Sequence, residues 1–196
     1  MSRAERTRQI LSIAEELFAE RGYLAATMDE LAQRVGVSKP VIYDCVGPKE
    51  RILLAVLGRI RAELREATLR AVAGVTDPRE ALRETLLAFF RFIEGHRQGW
   101  SVLNRERALL AGQAGEEVDT LRRQQADLIT ELLLSHGLAA GREVAECHAQ
   151  IVVGAAERLA LWQDGRPQVT AEVAADRMME ALWQGLAPAA PDRAPR

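Results

Sequence analysis

Of the 26 cationic side chains in this 196-residue sequence only two are lysines, Lys39 and Lys49, and the hydroxyl-bearing residues Thr27, Ser38 and Tyr43 stand close to them. Ammonium and hydroxyl groups are donors suited to phosphate oxygens and to the edges of bases. Between them lie Pro40, an apolar surface with no amide to satisfy, and Val41, whose methyls suit contact with a thymine methyl. Other chemistries lack their residues. Cys45 and Cys147 are far apart, which gives neither a disulfide framework nor the paired spacing of a zinc site. None of His96, His136 and His148 follows a glutamate by three positions, so the Glu-x-x-His pattern of helical di-iron sites is missing. A serine nucleophile elbow, a P-loop and a Gly-x-Gly-x-x-Gly turn are absent too. We therefore expect no enzyme, no metal and no cofactor, with Cys45 serving as a small half-buried hydrophobe.

The composition, 48% hydrophobic and 28% charged, is that of an ordinary globular protein. A chain of this length buries roughly 70% of its unfolded surface without staples. No apolar run reaches the roughly 18 residues of a membrane span, and Arg3, Glu5, Arg6, Arg8, Glu15, Glu16 and Glu20 occupy the stretch where a secretory signal needs apolar residues. A cytoplasmic location and no membrane partner are the expectations. Net charge is −2, and residues 1–51 balance eight cations against eight anions. Any attraction to a polyanion must come from where charges are placed rather than from their sum.

These side chains must be positioned by helices, because the hydrophobic period is helical throughout. Ile10, Ile13, Ala14, Leu17 and Phe18 form the stripe of a first helix from about Ala4 to Arg21, stopped by Gly22. Thr27 can cap a short second helix, with Asp29 and Glu30 complementing its dipole and Leu31, Ala32 and Val35 as its inner face, ended by Gly36. Ser38 can cap a third, with Pro40 tolerated in its first turn. Gly47, Pro48 and Lys49 open a long fourth helix striped by Leu53, Val56, Leu57, Ile60 and Leu64. Beyond about residue 74 the helices lengthen. Asp77 and Glu80 frame one start, and further helices are read around Leu82–Ile93, Trp100–Leu110, Val118–Leu132, Glu143–Trp162 and Glu172–Leu186. The expected fold is all-α, with a helix-turn-helix head over 1–48, a helical domain over 49–187, and a Pro/Ala-rich disordered tail over 188–196.

Residues 27–46, TMDELAQRVGVSKPVIYDCV, have the anatomy of a helix-turn-helix: a small Ala32 at a close crossing, Gly36 at the turn, and Leu31, Val35, Val37 and Ile42 positioned to lock the pair against Leu17 and Phe18. Such packing would hold the third helix outward, the shape that enters a DNA major groove. At this point the stretch from Arg8 to Leu53 resembles the DNA-binding domain of TetR-family transcriptional regulators. Ile10, Ala14, Leu17, Phe18, Gly22, Thr27, Ala32, Gly36, Val37, Ser38, Tyr43 and Lys49 agree with the family pattern, which Cys45 and Val46 leave where histidine and phenylalanine are common. The resemblance implies that Thr27, Ser38, Tyr43 and Lys49 approach phosphates, that Met28 belongs to the DNA-binding set, and that Lys39, Pro40, Val41 and Asp44 face base edges or groove walls. Asp44 weakens binding unless it accepts from a base amino group or an arginine.

The same resemblance implies a homodimer on a palindromic operator of double-stranded DNA, most often a repressor, released by a small-molecule effector of partly apolar character. Two reading helices must then reach major grooves about 34 to 36 Å apart. Phe89, Phe92, Trp100 and Leu103 are candidates for the effector pocket; ordinary core packing is the competing role. Ala155, Leu159, Trp162, Met178, Leu182 and Gly185 on the last two helices are the candidate dimer face. A contrasting reading, an all-α ligand-binding or adaptor module without DNA binding, is left open by the neutral head and by Asp44.

Overall fold

In a computed structural model, which describes residues 1–96 and 113–186, the chain forms eight α-helices and no strand among the described residues. The expected helix Trp100–Leu110 and the tail 188–196 lie outside them. Helix α1 (Arg3–Arg21) starts one residue earlier than its apolar stripe suggests. Its start is set by a reciprocal cap: the Ser2 hydroxyl accepts from the Glu5 amide at 3.2 Å, and the Glu5 carboxylate accepts from the Ser2 amide at 2.6 Å. Ile10, Ala14, Leu17 and Phe18 are buried along its inner face.

Helix α2 (Met28–Val35) and helix α3 (Lys39–Cys45) both pack on α1 and on each other. Leu31, Ala32 and Val35 are the buried residues of α2, and Ile42 is that of α3. Burying one such aliphatic side chain contributes roughly 1.5–3 kcal/mol, which is how helices too short to persist in water are held. Between the two helices Gly36 takes φ 76° and ψ 35°, and its amide donates to the Ala32 carbonyl at 3.0 Å. A Cβ placed there would meet no atom within 4 Å, so the backbone angle, not crowding, selects glycine.

Helix α4 (Lys49–Ala71) buries Ile52, Leu53, Val56, Leu57, Ile60 and Leu64 in one continuous stripe. It is followed by α5 (Pro78–Gly95), α6 (Gln113–Ser135), α7 (Arg142–Gln163) and α8 (Ala171–Leu186). The Asp77 carboxylate caps α5 by accepting from the Glu80 amide at 2.8 Å. Two compact units result, one containing Met1–Glu63 with residues 95–96 and 113–121, the other Leu64–Glu94 with the described residues from Arg122 onward. The division falls inside α4, which carries the chain from the first unit to the second.

In the second unit α7 and α8 pack together. Ala145, Ala149, Val152, Ala156 and Ala160 form the buried seam of α7, and Ala171, Ala174, Ala175, Met178 and Met179 are buried on α8. Their join is fixed by a buried polar cluster. Gln163 donates through Nε2 to the Val169 carbonyl at 2.6 Å and to Glu94 Oε1 at 3.2 Å, and that same carboxylate oxygen accepts from the Ala171 amide at 2.8 Å. Glu94, at the end of α5, thus caps the start of α8.

Candidate nucleic-acid interface

Helix α3 buries Ile42 completely and turns most of its other side chains outward. Tyr43 is 49% exposed and Val41 38% exposed, an unusual state for large apolar or aromatic groups on a seven-residue helix. Pro40 and Asp44 are exposed as well, while Lys39 is half-exposed. The residues Pro40, Val41, Tyr43 and Asp44, singled out from sequence, therefore share the solvent side of one short rod anchored by a single isoleucine.

The hydroxyl expected to cap this helix does not do so. Ser38 sits at the cap position with extended backbone, but its side chain makes no capping hydrogen bond. The reason is local: a cap side chain accepts from the second or third helical amide. Pro40 occupies the second position and has no amide, and the Val41 amide donates to the Ser38 carbonyl at 3.1 Å. Ser38 is exposed, and its hydroxyl has no hydrogen-bond partner among the described residues. Thr27 behaves as expected, its Oγ1 accepting from the Glu30 amide at 3.2 Å. Thr27→Ala should lower the stability of the head by about 1 kcal/mol, read as a lower midpoint of thermal unfolding.

The two lysines are held. Lys49 Nζ donates to the Leu24 carbonyl at 3.2 Å and lies 4.6 Å from the centroid of the Tyr23 ring, which in turn stands edge-on to Phe18 at 5.5 Å. It thereby pins the 22–27 loop to the start of α4. Lys39 Nζ lies 2.7 Å from Asp29 Oδ2 at the start of α2. Two residues not expected at this surface from sequence also join it: Asp29, read only as complementing the dipole of α2, and Arg3, whose guanidinium donates to the Asp44 carbonyl at 2.6 Å. Spacings of 10 and 41 positions carry no periodicity from which such contacts are read. Away from α3, Arg34 bridges Glu20 at 2.7 Å and Glu30 at 3.2 Å, and Arg21 also reaches Glu30. The hydrogen bond from Arg34 lowers the carboxyl pKa of Glu20 from its usual value and raises that of the guanidinium. Much of the balanced charge of the head is thus engaged in internal pairs.

The candidate dimer residues fall partly together. An open groove of about 600 Å³ on α7 and α8 is lined by Ala155, Leu159, Trp162, Met178, Arg158 and Arg177, among others. Trp162 is 50% exposed, with the Arg166 guanidinium 4.6 Å from the centroid of its ring, and Met178 forms the buried floor at 5%. Leu182 and Gly185 lie further along α8 and do not line the groove. Of the candidate pocket residues, Phe89 is half-buried, edge-on to the fully buried Phe90 at 5.3 Å, and Phe92 is buried. Trp100 and Leu103 lie outside the described residues. A separate cavity of about 290 Å³ is lined by residues including Thr68, Thr85, Leu128, Leu132 and His136, with neither Phe89 nor Phe92 in its wall. Among the described residues no group of three metal-ligating side chains occurs, and no helix is long and apolar enough to cross a membrane.

A capped helix pair that presents a short exposed rod, followed by a larger helical unit, defines the class of helix-turn-helix regulators. Residues 10–56 match the profile of bacterial regulatory proteins of the tetR family, and residues 78–185 match the tetracyclin repressor-like C-terminal domain. The HTH-type transcriptional activator FasR of Mycolicibacterium smegmatis is 30% identical over 186 residues, covering 95% of this chain and 85% of that protein. A TetR-like transcriptional regulator from Rhodococcus sp. RHA1 is 31% identical with a TM-score of 0.77, covering 95% of this chain and 98% of its own. AibR, whose structure was solved in complex with isovaleryl coenzyme A and operator DNA, is 25% identical with a TM-score of 0.72, covering 90% of this chain and 97% of its own. The chain belongs to the TetR family: it is a transcriptional regulator with an N-terminal DNA-binding domain, and not an enzyme.

Proposed function

We propose that the protein binds a palindromic operator as a homodimer and that a small, partly apolar effector held by the C-terminal unit sets its affinity for DNA. The observation that carries the DNA half of this reading is the exposure of Pro40, Val41, Tyr43 and Asp44 on a helix whose only buried residue is Ile42. In this reading Lys39, Pro40, Val41 and Asp44 meet base edges or groove walls, Thr27, Ser38, Tyr43 and Lys49 stand toward the phosphates, and Met28 lies beside them. Ser38 suits that role, since its hydroxyl has no competing partner. Arg3, by holding the Asp44 carbonyl, keeps the end of α3 in place.

The dimer is assigned to the apolar groove of α7 and α8, with Ala155, Leu159, Trp162 and Met178 at its centre and Leu182 and Gly185 along its extension. Exposed apolar surface of this kind favours a closed two-fold contact. Effector coupling is assigned to α4, the helix that runs directly from the end of the helix-turn-helix into the second unit. An effector acts only so far as it prefers one of two spacings of the reading heads. A neighbour solved with both an acyl coenzyme A and operator DNA supports a ligand with an apolar part, for which Phe89 and Phe92 remain candidates. Repression is the simplest outcome where the operator overlaps a promoter.

Selection of bound duplexes from a random pool tests the proposal directly, and palindromes with half-sites about one helical turn apart are the expected product. Tyr43→Ala should then weaken operator binding by about 1.5–3 kcal/mol per lost charge-assisted hydrogen bond. Lys49→Ala should reduce the steepness of the salt dependence by about one unit per head. Both variants should keep the wild-type helical content and oligomeric state; binding equal to wild type at fixed salt would remove these residues from the interface.

A further inference from the structure

The ion pair between Lys39 and Asp29 goes beyond the contact assignment above, although it rests on the DNA-binding reading. Lys39 is the only cation on α3, at the end whose side chains reach base edges in a helix-turn-helix. Its ammonium is 2.7 Å from Asp29 Oδ2, and both side chains stay open to solvent, at 42% and 78% exposure. No other described side chain competes for either group: Glu20, Glu30, Arg21 and Arg34 form a separate network, and the Ser38 hydroxyl beside Lys39 is not bonded to it. The carboxylate itself stands on a fixed base, because the Thr27 cap on the Glu30 amide secures the first turn of α2.

We propose that Asp29 is a positioning residue that makes Lys39 a reader of bases rather than a binder of phosphates. A lysine ammonium is a mobile point charge on a four-carbon stem with three donors, and near a duplex its nearest strong acceptors are phosphates. Asp29 takes one donor and restrains the stem, which leaves two donors for acceptors such as guanine O6 and N7. On a duplex of the wrong sequence the same tether keeps the ammonium on Asp29, so the head, already balanced in charge, gains no extra hold.

The test measures affinity and salt dependence for two fluorescent duplexes, the operator recovered by selection and a scrambled sequence of equal length. Both are titrated with the wild-type protein, Asp29→Asn, Lys39→Ala and the double variant, each checked for an unchanged thermal midpoint. Asp29→Asn should tighten binding to the scrambled duplex about threefold to thirtyfold, with a salt slope steeper by about 1.8 for two released lysines. Affinity for the operator should fall, so that the ratio of the two affinities drops by at least tenfold. In the Lys39→Ala background the Asn substitution should change neither duplex. Equal tightening on both duplexes would overturn the proposal by making Asp29 a simple repulsive charge, as would an effect that persists without Lys39 or an unchanged ratio. A wild-type protein that fails to distinguish any selected duplex from the scrambled one would instead refute the operator-binding reading on which the proposal rests.

Discussion

Ile42→Ala is expected to destabilise the head by about 2–5 kcal/mol and to abolish specific DNA binding while leaving the C-terminal unit helical. Ile42 is 0% exposed and is the one buried residue of α3. The helix has seven residues, too few to persist by its own hydrogen bonds, and its cap serine contributes no side-chain bond. Removing the isoleucine therefore takes away most of what fastens α3 to α1 and α2. A loss of this size is a large share of the 5–15 kcal/mol typical of a whole domain, so the effect should appear as an early, separate unfolding step in a thermal melt. Val41→Ala, one position away and 38% exposed, is the control: it should shift the melt little and alter only the affinity for DNA. Equal melts for the Ile42 variant and the wild type would mean that α3 is held by something other than its buried anchor.

The second large effect is expected from Trp162→Glu. The indole is 50% exposed at the edge of the α7–α8 groove, whose floor is Met178, so a carboxylate there costs the isolated subunit little. Across a two-fold axis the substitution would take both indoles out of the contact and bring in two carboxylates, whose desolvation opposes association. The variant should sediment as a monomer with unchanged helical content. Its operator affinity should fall by about 10²–10⁴-fold, the factor lost when two linked binding events become separate. Retained dimers would place the subunit contact elsewhere. Monomers that keep full affinity would show that one head is sufficient.

The order and type of helices were legible in the sequence, since each depends on a few neighbouring residues. The stripe Ile10, Ala14, Leu17, Phe18 reports one face of α1, and Thr27 with Glu30 reports the start of α2. Gly36 reports a turn that needs a left-handed residue. The same locality explains the errors. Ser2 and Glu5 spell a cap that lies well ahead of the apolar stripe, and Ser38 has the residue type of a cap but lacks the amide that Pro40 removes.

The chain alone determined that the fold is all-α and that a helix-turn-helix lies near its start. These follow from periodicity and capping, forces that act over one or two turns. Tertiary structure alone decided which charges meet: Lys39 with Asp29, Arg3 with the end of α3, Glu94 with the first amide of α8. It also decided that the alanine seam of α7 is buried within the subunit while Trp162 is left outside. Partners separated by 10 to 77 positions are brought together by helix packing, and packing depends on the summed shape of several faces at once, which no single stretch of residues encodes.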